Sequence, residues 1–262
     1  PTKWTPITSD GAKTMHQRDA RAVEMALRAK IVVAIMIKAH ARDPEDVINT
    51  IKTTHEAGYF PEVTYRIDQG IIREAMSDIN AVREQYTDDP LLVGIGSVTT
   101  HDEMDQAIDM GFDMVVSPDN AFEGYGKKID FAKVAREANV FSAPGAMTPG
   151  EFRYFLEGED GITPDAIKIF PASVYGPEGL GRMLDPYDRG AHQGIILIPT
   201  GGVNAENGPL YQQHIGARGF DTVLAMSDPL SLVLKEGKPG DTDTIRRSLE
   251  QFRQAFSPYT TS

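Results

Sequence analysis

The segment AIKIFPAS places one lysine inside an apolar run that otherwise has the composition of a buried strand. Side chains alternate along a strand, so Lys168 shares one face with Ala166 and Phe170. Ile167 and Ile169 share the opposite face, which would pack against helices. Burial disfavours the charged form of an amine, so the pKa of Lys168 can fall by several units from about 10.4. A neutral amine attacks ketones. The structural alternatives are a lysine that extends to solvent or one that pairs with a carboxylate.

A second polar face occurs in the segment FPEVTYR, where Glu62, Thr64 and Arg66 alternate with Val63 and Tyr65. If the apolar face packs against helices, Glu62 and Arg66 point into the same interior as the lysine. A carboxyl whose pKa lies near the working pH can act there as a general acid and base. An ionised Glu62 would stabilise the ammonium of Lys168. We therefore expect either that water or bound substrate bridges the two groups or that Glu62 is partly protonated. The structural alternative is a buried ion pair between Glu62 and Arg66.

Eight short runs rich in β-branched residues predict the strands that would carry these side chains. They lie at residues 31–37, 60–65, 91–95, 113–116, 140–142, 166–170, 195–198 and 220–225. Helical signals separate them: DPEDVINTIKTTHEAG begins with an Asp-Pro cap and ends at Gly58, and THDEMDQAIDMG begins at a capping Thr100 and ends at Gly111. Connections of this length predict parallel strands, in a closed (β/α)8 barrel or an open doubly wound sheet. Since no G-x-G-x-x-G follows the first strand, we predict an α/β TIM barrel.

The sequence predicts a single barrel domain over residues 1–262, with no linker that would divide it. Residues 31–230 form the predicted barrel core. Residues 1–30 are interpreted as an N-terminal helical extension, in which Val23 and Leu27 share a face that could cover the barrel floor. Residues 241–256 are predicted as a C-terminal helix.

The composition narrows the class of partner and of chemistry. A formal charge of -12 argues against nucleic acid, which requires a basic face. We find no apolar run long enough to span a membrane and no export signal. The absence of cysteine excludes disulfides and thiolate chemistry and fits a cytoplasmic protein. The six histidines are scattered, so no metal site is expected. The expected partner is a small molecule.

Six short motifs, in order along the chain, resemble the class I aldolases that act on 2-keto-3-deoxy-6-phosphogluconate and 4-hydroxy-2-oxoglutarate. The motifs are PEVTYR, GIGSV, VSPD, APGAMTPGE, IKIFPAS and PTGGV, and the similarity extends over most of the chain, from about Ile31 to Leu230. Each motif alone is weak evidence, but six in the same order at barrel spacing are specific.

The resemblance implies that Lys168 forms a Schiff base with the substrate ketone and that Glu62 moves protons. It implies substrate-binding roles for a further set of residues at the strand ends: Arg66 for the carboxylate, Ser97 and Thr200 through their hydroxyls, Pro118 and Phe170 as walls, and Gly201, Gly202 and Ser227 in a cradle for the distal group. The implied reaction is reversible cleavage of a 2-keto-3-deoxy sugar acid or 4-hydroxy-2-oxo acid to pyruvate and an aldehyde. No cofactor is implied, and relatives are commonly trimeric, so a homotrimer is expected.

The sequence departs from the family pattern where a substrate phosphate would bind. The last strand reads LAMSDP, with Ala225 and Met226 in place of two glycines and Asp228 just beyond them. Asp119 likewise replaces a glycine. We therefore expect side chains to crowd the cradle and the aldehyde half of the substrate to be unphosphorylated, or to carry its anion differently. Two other classes stay open: a metal-dependent pyruvate aldolase and a non-catalytic ligand-binding barrel.

Overall fold

The computed structural model describes residues 18–29, 32–119, 131–158, 161–187 and 195–256. The strands in these ranges are β1 Val32–Met36, β2 Phe60–Thr64, β3 Gly94–Gly96, β4 Met114–Val116, β5 Phe141–Ala143, β6 Gly145–Ala146, β7 Ala166–Ile169, β8 Ile196–Pro199, β9 Asp221–Thr222 and β10 Leu224–Met226. The α-helices are α1 Ala20–Ala29, α2 Pro44–Glu56, α3 Gln69–Val82, α4 His101–Asp109, α5 Phe131–Glu137, α6 Pro149–Glu157, α7 Gly176–Leu184, α8 Gly208–Gly216, α9 Ser231–Glu236 and α10 Thr242–Phe256.

All strand pairs among these described residues are parallel, and they form two sheets that together curl into a barrel-like wall. One sheet has the order β10-β1-β2-β3-β4-β5, and the other has the order β6-β7-β8-β9. The hydrogen-bond ladders therefore do not form the single closed barrel sheet that the sequence predicted. Strand β6 is a short strand that the sequence did not predict, and Pro144 separates it from β5; Val223 divides the predicted strand 220–225 into β9 and β10. Proline has no N–H to donate to a ladder, which explains the separation of β5 from β6.

Each predicted strand has an observed counterpart, with ends that differ by a few residues. The largest difference is at β3, which begins at Gly94 rather than at residue 91. There the backbone N–H of Val93 donates to the carboxylate of Asp113 at 2.8 Å and not to a neighbouring strand. Residue 31, the first of the predicted strands, lies outside the described residues, as do 1–17 and 30 of the predicted extension.

Helix starts follow the predicted capping signals. The side chain of Asp43 accepts from the N–H of Asp46 at the start of α2, and Thr100 accepts from the N–H of Glu103 at the start of α4. Gly58 and Gly111, which follow these helices, have φ of 84° and 88°, the left-handed region that glycine adopts without strain. The starts of α2 and α4 and the turns that follow them are therefore determined by residues close by in the chain.

The buried apolar side chains of the described ranges form two layers. The outer layer lies between strands and helices and includes Val63, Ile167 and Ile169, as strand alternation predicts. The inner cluster is enclosed by the strands and includes Ala166 together with Val23 and Leu27 of α1. Helix α1 thus packs against the interior of the curled wall, as the apolar face of the extension suggested. Among the described helices none is long and apolar enough to cross a membrane.

Candidate active site

Lys168 lies inside the wall on β7, where it pairs with Gly145 of β6 and Ile198 of β8. Only 5% of the residue is exposed. Its Nζ lies 4.9 Å from the centre of the Phe170 ring. Burial lowers the pKa of Lys168 from its usual value, and the charge of Glu62 opposes that shift without cancelling it. The strand therefore holds an amine whose neutral form is favoured by its surroundings.

Glu62 lies on β2 and is equally buried, with 5% exposed. Burial raises the pKa of Glu62, and the charge of Lys168 acts in the opposite direction but is the smaller effect. The two groups interact through their charges, and no direct hydrogen bond joins them among the described residues. Burial thus moves the pKa of each group toward its neutral form, and this is the direction that the second sequence option, a partly protonated Glu62, requires.

Gly96 makes room for Glu62, a role that sequence reasoning missed. A Cβ added to Gly96 would lie 2.3 Å from Oε1 of Glu62, far inside contact distance. Any side chain at this position of β3 would displace the carboxyl. The signal was present in the motif GIGSV, because the second glycine is on the strand next to that of Glu62.

Arg66 is not in the interior, which corrects the prediction from strand alternation. Strand β2 ends at Thr64, so the alternation no longer applies at Arg66. The guanidinium lies at the rim, where Nη2 donates to the carbonyl of Ser97 at 2.7 Å and to the carboxylate of Glu103 at 2.6 Å. The alternative of a buried Glu62–Arg66 ion pair is wrong, since the partner of Arg66 is Glu103.

Ser97 follows β3 and joins the ends of two strands. It has a φ of 65°, and its hydroxyl accepts from the hydroxyl of Thr64 at 3.1 Å. Its carbonyl accepts from Arg66. The structure thus brings Ser97 and Arg66 together, at the carboxyl end of β2 and β3.

The turn after β8 packs on the turn after β7. The carbonyl of Thr200 accepts from the N–H of Ala172 at 2.7 Å, and its hydroxyl donates to the carbonyl of Ile198 at 3.2 Å. Gly201 and Gly202 have φ of 83° and 79°. A Cβ on Gly201 would lie 3.0 Å from the Phe170 ring, so this glycine allows the ring to lie against the turn beside Lys168.

Pro118 lies after β4 and against the backbone that pairs with Lys168. A Cβ on Gly145 would lie 2.4 Å from the carbonyl carbon and oxygen of Pro118, and the N–H of Gly145 donates to the carbonyl of Asp119 at 2.7 Å. Pro118 therefore lies against the residue that is the ladder partner of Lys168. The Asp119 side chain is at the surface, where it accepts from the buried hydroxyl of Ser117.

The end of β10 corrects one sequence expectation. Ala225 belongs to the inner cluster, but Met226 belongs to the outer layer and its Cε lies near Gly208 of α8. Consecutive strand residues point to opposite faces, so only Ala225 can crowd a cradle. Ser227 precedes a short 3-10 turn at Asp228–Leu230. Burial raises the pKa of Asp228. An isolated bridge between Thr200 and Ala225 brings this strand end next to the Thr200 turn.

No group of three or more His, Cys, Asp or Glu side chains able to hold a metal occurs among the described residues. The site as built consists of a buried amine, a buried carboxyl, an aromatic ring and hydroxyl and glycine turns. These groups surround the carboxyl ends of parallel strands, where barrel enzymes bind their substrates.

A protein-family comparison identifies the class. Residues 22–218 match the model described as KDPG and KHG aldolase, and the chain belongs to this family. It is therefore an aldolase, a carbon–carbon lyase. A search of curated proteins gave no significant match.

Solved structures agree on the fold. A native KDPGal structure is 20% identical, covers 88% of this chain and 96% of its own, and has a TM-score of 0.63. The 2-keto-3-deoxy-6-phosphogluconate aldolase of Zymomonas mobilis is 21% identical over 90% and 97%, with a TM-score of 0.62. The KDPG aldolase of Legionella pneumophila, solved with pyruvate captured as a covalent carbinolamine, is 17% identical over 86% and 97%, with a TM-score of 0.61. At these identities the similarity shows the fold, a parallel α/β arrangement like that of TIM-barrel aldolases.

Proposed function

We propose that the protein is a class I aldolase that cleaves a 2-keto-3-deoxy sugar acid or a 4-hydroxy-2-oxo acid, reversibly, to pyruvate and an aldehyde. The observation that carries this proposal is the buried pair of Lys168 and Glu62, whose pKa values both move toward the neutral forms. A sensor or a passive binding barrel has little use for a buried amine opposite a carboxyl. Groups of this kind at the carboxyl ends of parallel strands are suited to covalent catalysis.

The proposed mechanism uses the amine as nucleophile. Lys168 attacks the ketone carbon, and the carbinolamine loses water with a proton supplied by Glu62, which leaves a protonated imine. The C3–C4 bond then breaks, and its electron pair enters the imine to form an enamine. The 4-hydroxyl proton passes to the Glu62 carboxylate as the aldehyde forms. Glu62 then gives this proton to C3 of the enamine, and water adds to the resulting imine and loses a proton to Glu62 as pyruvate and the free amine are released.

Arg66, Ser97 and Thr200 are the proposed polar contacts of the keto acid. Arg66 and Ser97 are already joined at the end of β3, and the guanidinium is suited to a carboxylate. Pro118 and Phe170 are the proposed walls, because both lie beside the strand of Lys168.

The proposed site of the aldehyde half is the cradle of Gly201, Gly202 and Ser227. Asp228 directly follows Ser227 in the chain, and Asp119 is exposed after β4, so the proposal is that these two carboxyl side chains disfavour a phosphate dianion at this end of the site. We propose that the aldehyde half is unphosphorylated or carries its anion elsewhere. Comparison of kcat/KM for 2-keto-3-deoxygluconate and its 6-phosphate tests this, and a strong preference for the phosphate would contradict it.

Three broader features are part of the proposal. The two sheets are proposed to function as one eight-stranded barrel. Two backbone hydrogen bonds of the residues that separate the short strands support this: the N–H of Lys168 donates to the carbonyl of Pro144 at 2.9 Å, and the N–H of Val223 donates to the carbonyl of Leu197 at 3.0 Å. The homotrimer and the cytoplasmic location follow from the family resemblance and from the cysteine-free composition.

Borohydride reduction in the presence of pyruvate tests the mechanism. We expect irreversible inactivation and one reduced pyruvate adduct on the peptide that contains Lys168. Lys168→Met should prevent the adduct and abolish turnover, whereas Lys235→Met, at an exposed lysine of α9, should change neither. An unmodified Lys168 in an enzyme that releases pyruvate would overturn the proposal.

The metal-dependent pyruvate aldolase is the remaining enzyme alternative. It would use a divalent ion in place of the imine as the electron sink. The described residues present no candidate ligand cluster for such an ion. The same borohydride experiment separates the two, because a metal enzyme forms no reducible adduct.

A further inference from the structure

Glu103 is a carboxylate fixed at the start of α4. Its Oε2 accepts from the N–H of Thr99 at 2.7 Å and from the Thr99 hydroxyl at 2.9 Å. Its backbone N–H is bonded to Thr100, the residue that caps the helix. The side chain is 17% exposed. Burial alone would raise the pKa of Glu103, but hydrogen bonds from Thr99 and Arg66 outweigh it and lower the pKa. The carboxylate is thus charged and held independently of Arg66.

Arg66 is the less constrained member of the pair. Its side chain is 51% exposed, and the guanidinium lies 5.3 Å from the centre of the Tyr65 ring. It is attached to the turn that follows β2, not to the strand itself. If the pair separates, the guanidinium is the group that moves.

The two hydrogen bonds that Arg66 Nη2 donates use hydrogens that two-point binding of a carboxylate would need. Nη2 has two hydrogens, and they are directed to the Ser97 carbonyl at 2.7 Å and to Glu103 Oε1 at 2.6 Å. Two-point binding of a carboxylate uses Nη2 together with either Nη1 or Nε. A substrate carboxylate can therefore bind through two parallel hydrogen bonds only after one contact of Nη2 is released.

We propose that Glu103 is a positioning residue that competes with the substrate carboxylate for Arg66 and so weakens keto-acid binding. The inference rests on the proposed function, in which Arg66 binds that carboxylate. Glu103 is the contact that is exchanged, because a second carboxylate on the same guanidinium repels it, whereas the neutral Ser97 carbonyl does not. The exchange replaces the Arg66–Glu103 ion pair with an ion pair between Arg66 and the substrate carboxylate. Glu103 keeps its hydrogen bonds from Thr99.

Binding of oxamate, measured by calorimetry, tests the proposal without requiring the covalent step. Oxamate has the shape and carboxylate of pyruvate, but its amide carbonyl does not form an imine. An exposed ion pair of this kind contributes little, so Glu103→Gln should tighten oxamate binding by about two- to fivefold. The same substitution in an Arg66→Gln background should have no effect. Equal or weaker binding by Glu103→Gln, an equal gain without Arg66, or no oxamate binding at all would overturn the proposal.

A matched control uses the pair of Glu236 and Arg247, which joins α9 to α10 at 2.8 Å with similar exposure. Glu236→Gln should leave the oxamate affinity unchanged. A crystal structure of the wild-type protein with oxamate provides a readout that does not depend on a variant. We expect Arg66 to contact oxamate and to have left Glu103, and an intact Arg66–Glu103 contact with oxamate bound to Arg66 would refute the exchange. Failure of the borohydride test together with the expected oxamate results would remove the aldolase mechanism and leave this inference intact.

Discussion

Burial shifts the pKa values of Lys168 and Glu62 toward the neutral forms that the proposed catalytic pair requires. Each charge would stabilise the other, which alone would favour an ammonium and a carboxylate. The interior of the curled wall removes water from both, and this desolvation outweighs their mutual attraction. A neutral amine can attack a ketone, and a protonated carboxyl can supply the proton that the departing water needs. The same burial therefore prepares both partners.

The raised pKa of Glu62 predicts a pH-dependent difference in stability between the wild type and Glu62→Gln. Below the usual pKa of 4.5 the carboxyl is protonated in both the folded and the unfolded state, so the two proteins should be similar. As pH rises toward the folded pKa, only the unfolded state loses the proton, and the wild type loses stability. Glu62→Gln should gain about 1.4 kcal/mol over the wild type for each unit that separates the two pKa values.

Urea unfolding at a series of pH values from 4 to 8 measures this difference. Glu74→Gln, at an exposed glutamate of α3, is the matched control and should give a constant difference. The turnover of Glu62→Gln should fall by about 10²- to 10⁴-fold, the usual contribution of a general acid or base. If the difference in unfolding free energy between Glu62→Gln and the wild type were the same at every pH, the pKa of Glu62 would not be shifted.

At the scale of elements, β3 is shaped around the carboxyl of its neighbour β2. Gly96 has no positive φ, so alanine suits its backbone, but the added Cβ would meet Oε1 of Glu62 at 2.3 Å. The obstruction is the end of a side chain, which can move at small cost to the fold. Gly96→Ala should therefore lower kcat by about a hundredfold through the displaced acid–base group, while unfolding free energy changes by about 1 kcal/mol or less.

Gly150→Ala is the control for that substitution. Gly150 lies in the first turn of α6, and a Cβ there would contact nothing within 4 Å. It should preserve kcat and add up to about 1 kcal/mol of stability from helix propensity. If Gly96→Ala kept full turnover, the close approach to Glu62 would not matter for catalysis.

Helix α1 is a second element whose contribution can be measured. Leu27 is 1% exposed in the inner cluster, whereas Met25 on the same helix is 66% exposed. Leu27→Ala should lower the unfolding free energy by about 2–4 kcal/mol, because it leaves a cavity in the inner cluster. Met25→Ala should change it by about 0.5 kcal/mol or less. Chemical unfolding of both variants gives the comparison, and similar values for the two would mean that α1 does not stabilise the interior.

At the scale of the whole molecule, parallel pairing brings the carboxyl ends of distant segments to one face. Residues 62, 97, 118, 168, 200 and 227 are far apart in the chain, yet each lies on a strand or within two residues of its carboxyl end. The proposed electron sink on this face is the imine, so no metal ion is needed. We expect full pyruvate release after dialysis against EDTA. Loss of activity that Mg²⁺, Mn²⁺ or Co²⁺ restored would favour the metal-dependent alternative instead.

Much of this arrangement could be predicted from local patterns. Strand alternation predicted that Lys168 points inward and that Ile167 and Ile169 pack outward, because period-two geometry is a property of the strand itself. The capping signals at Asp43 and Thr100 predicted helix starts, because a cap satisfies N–H groups only a few residues away. The motifs from PEVTYR to PTGGV predicted the family.

Other features depend on contacts between segments that no local pattern contains. The sequence indicated an inward lysine and an inward glutamate, but only packing decided that desolvation exceeds their attraction. It also extended the strand alternation to Arg66, whereas β2 ends two residues earlier and the guanidinium pairs with Glu103, 37 positions further along the chain. Gly96 was part of a motif, but its role required the position of Glu62 on the adjacent strand. Alternation and capping are fixed by neighbouring residues, so the sequence alone determined them. Solvent exclusion and long-range pairing exist only when distant segments meet, so the tertiary structure decided them.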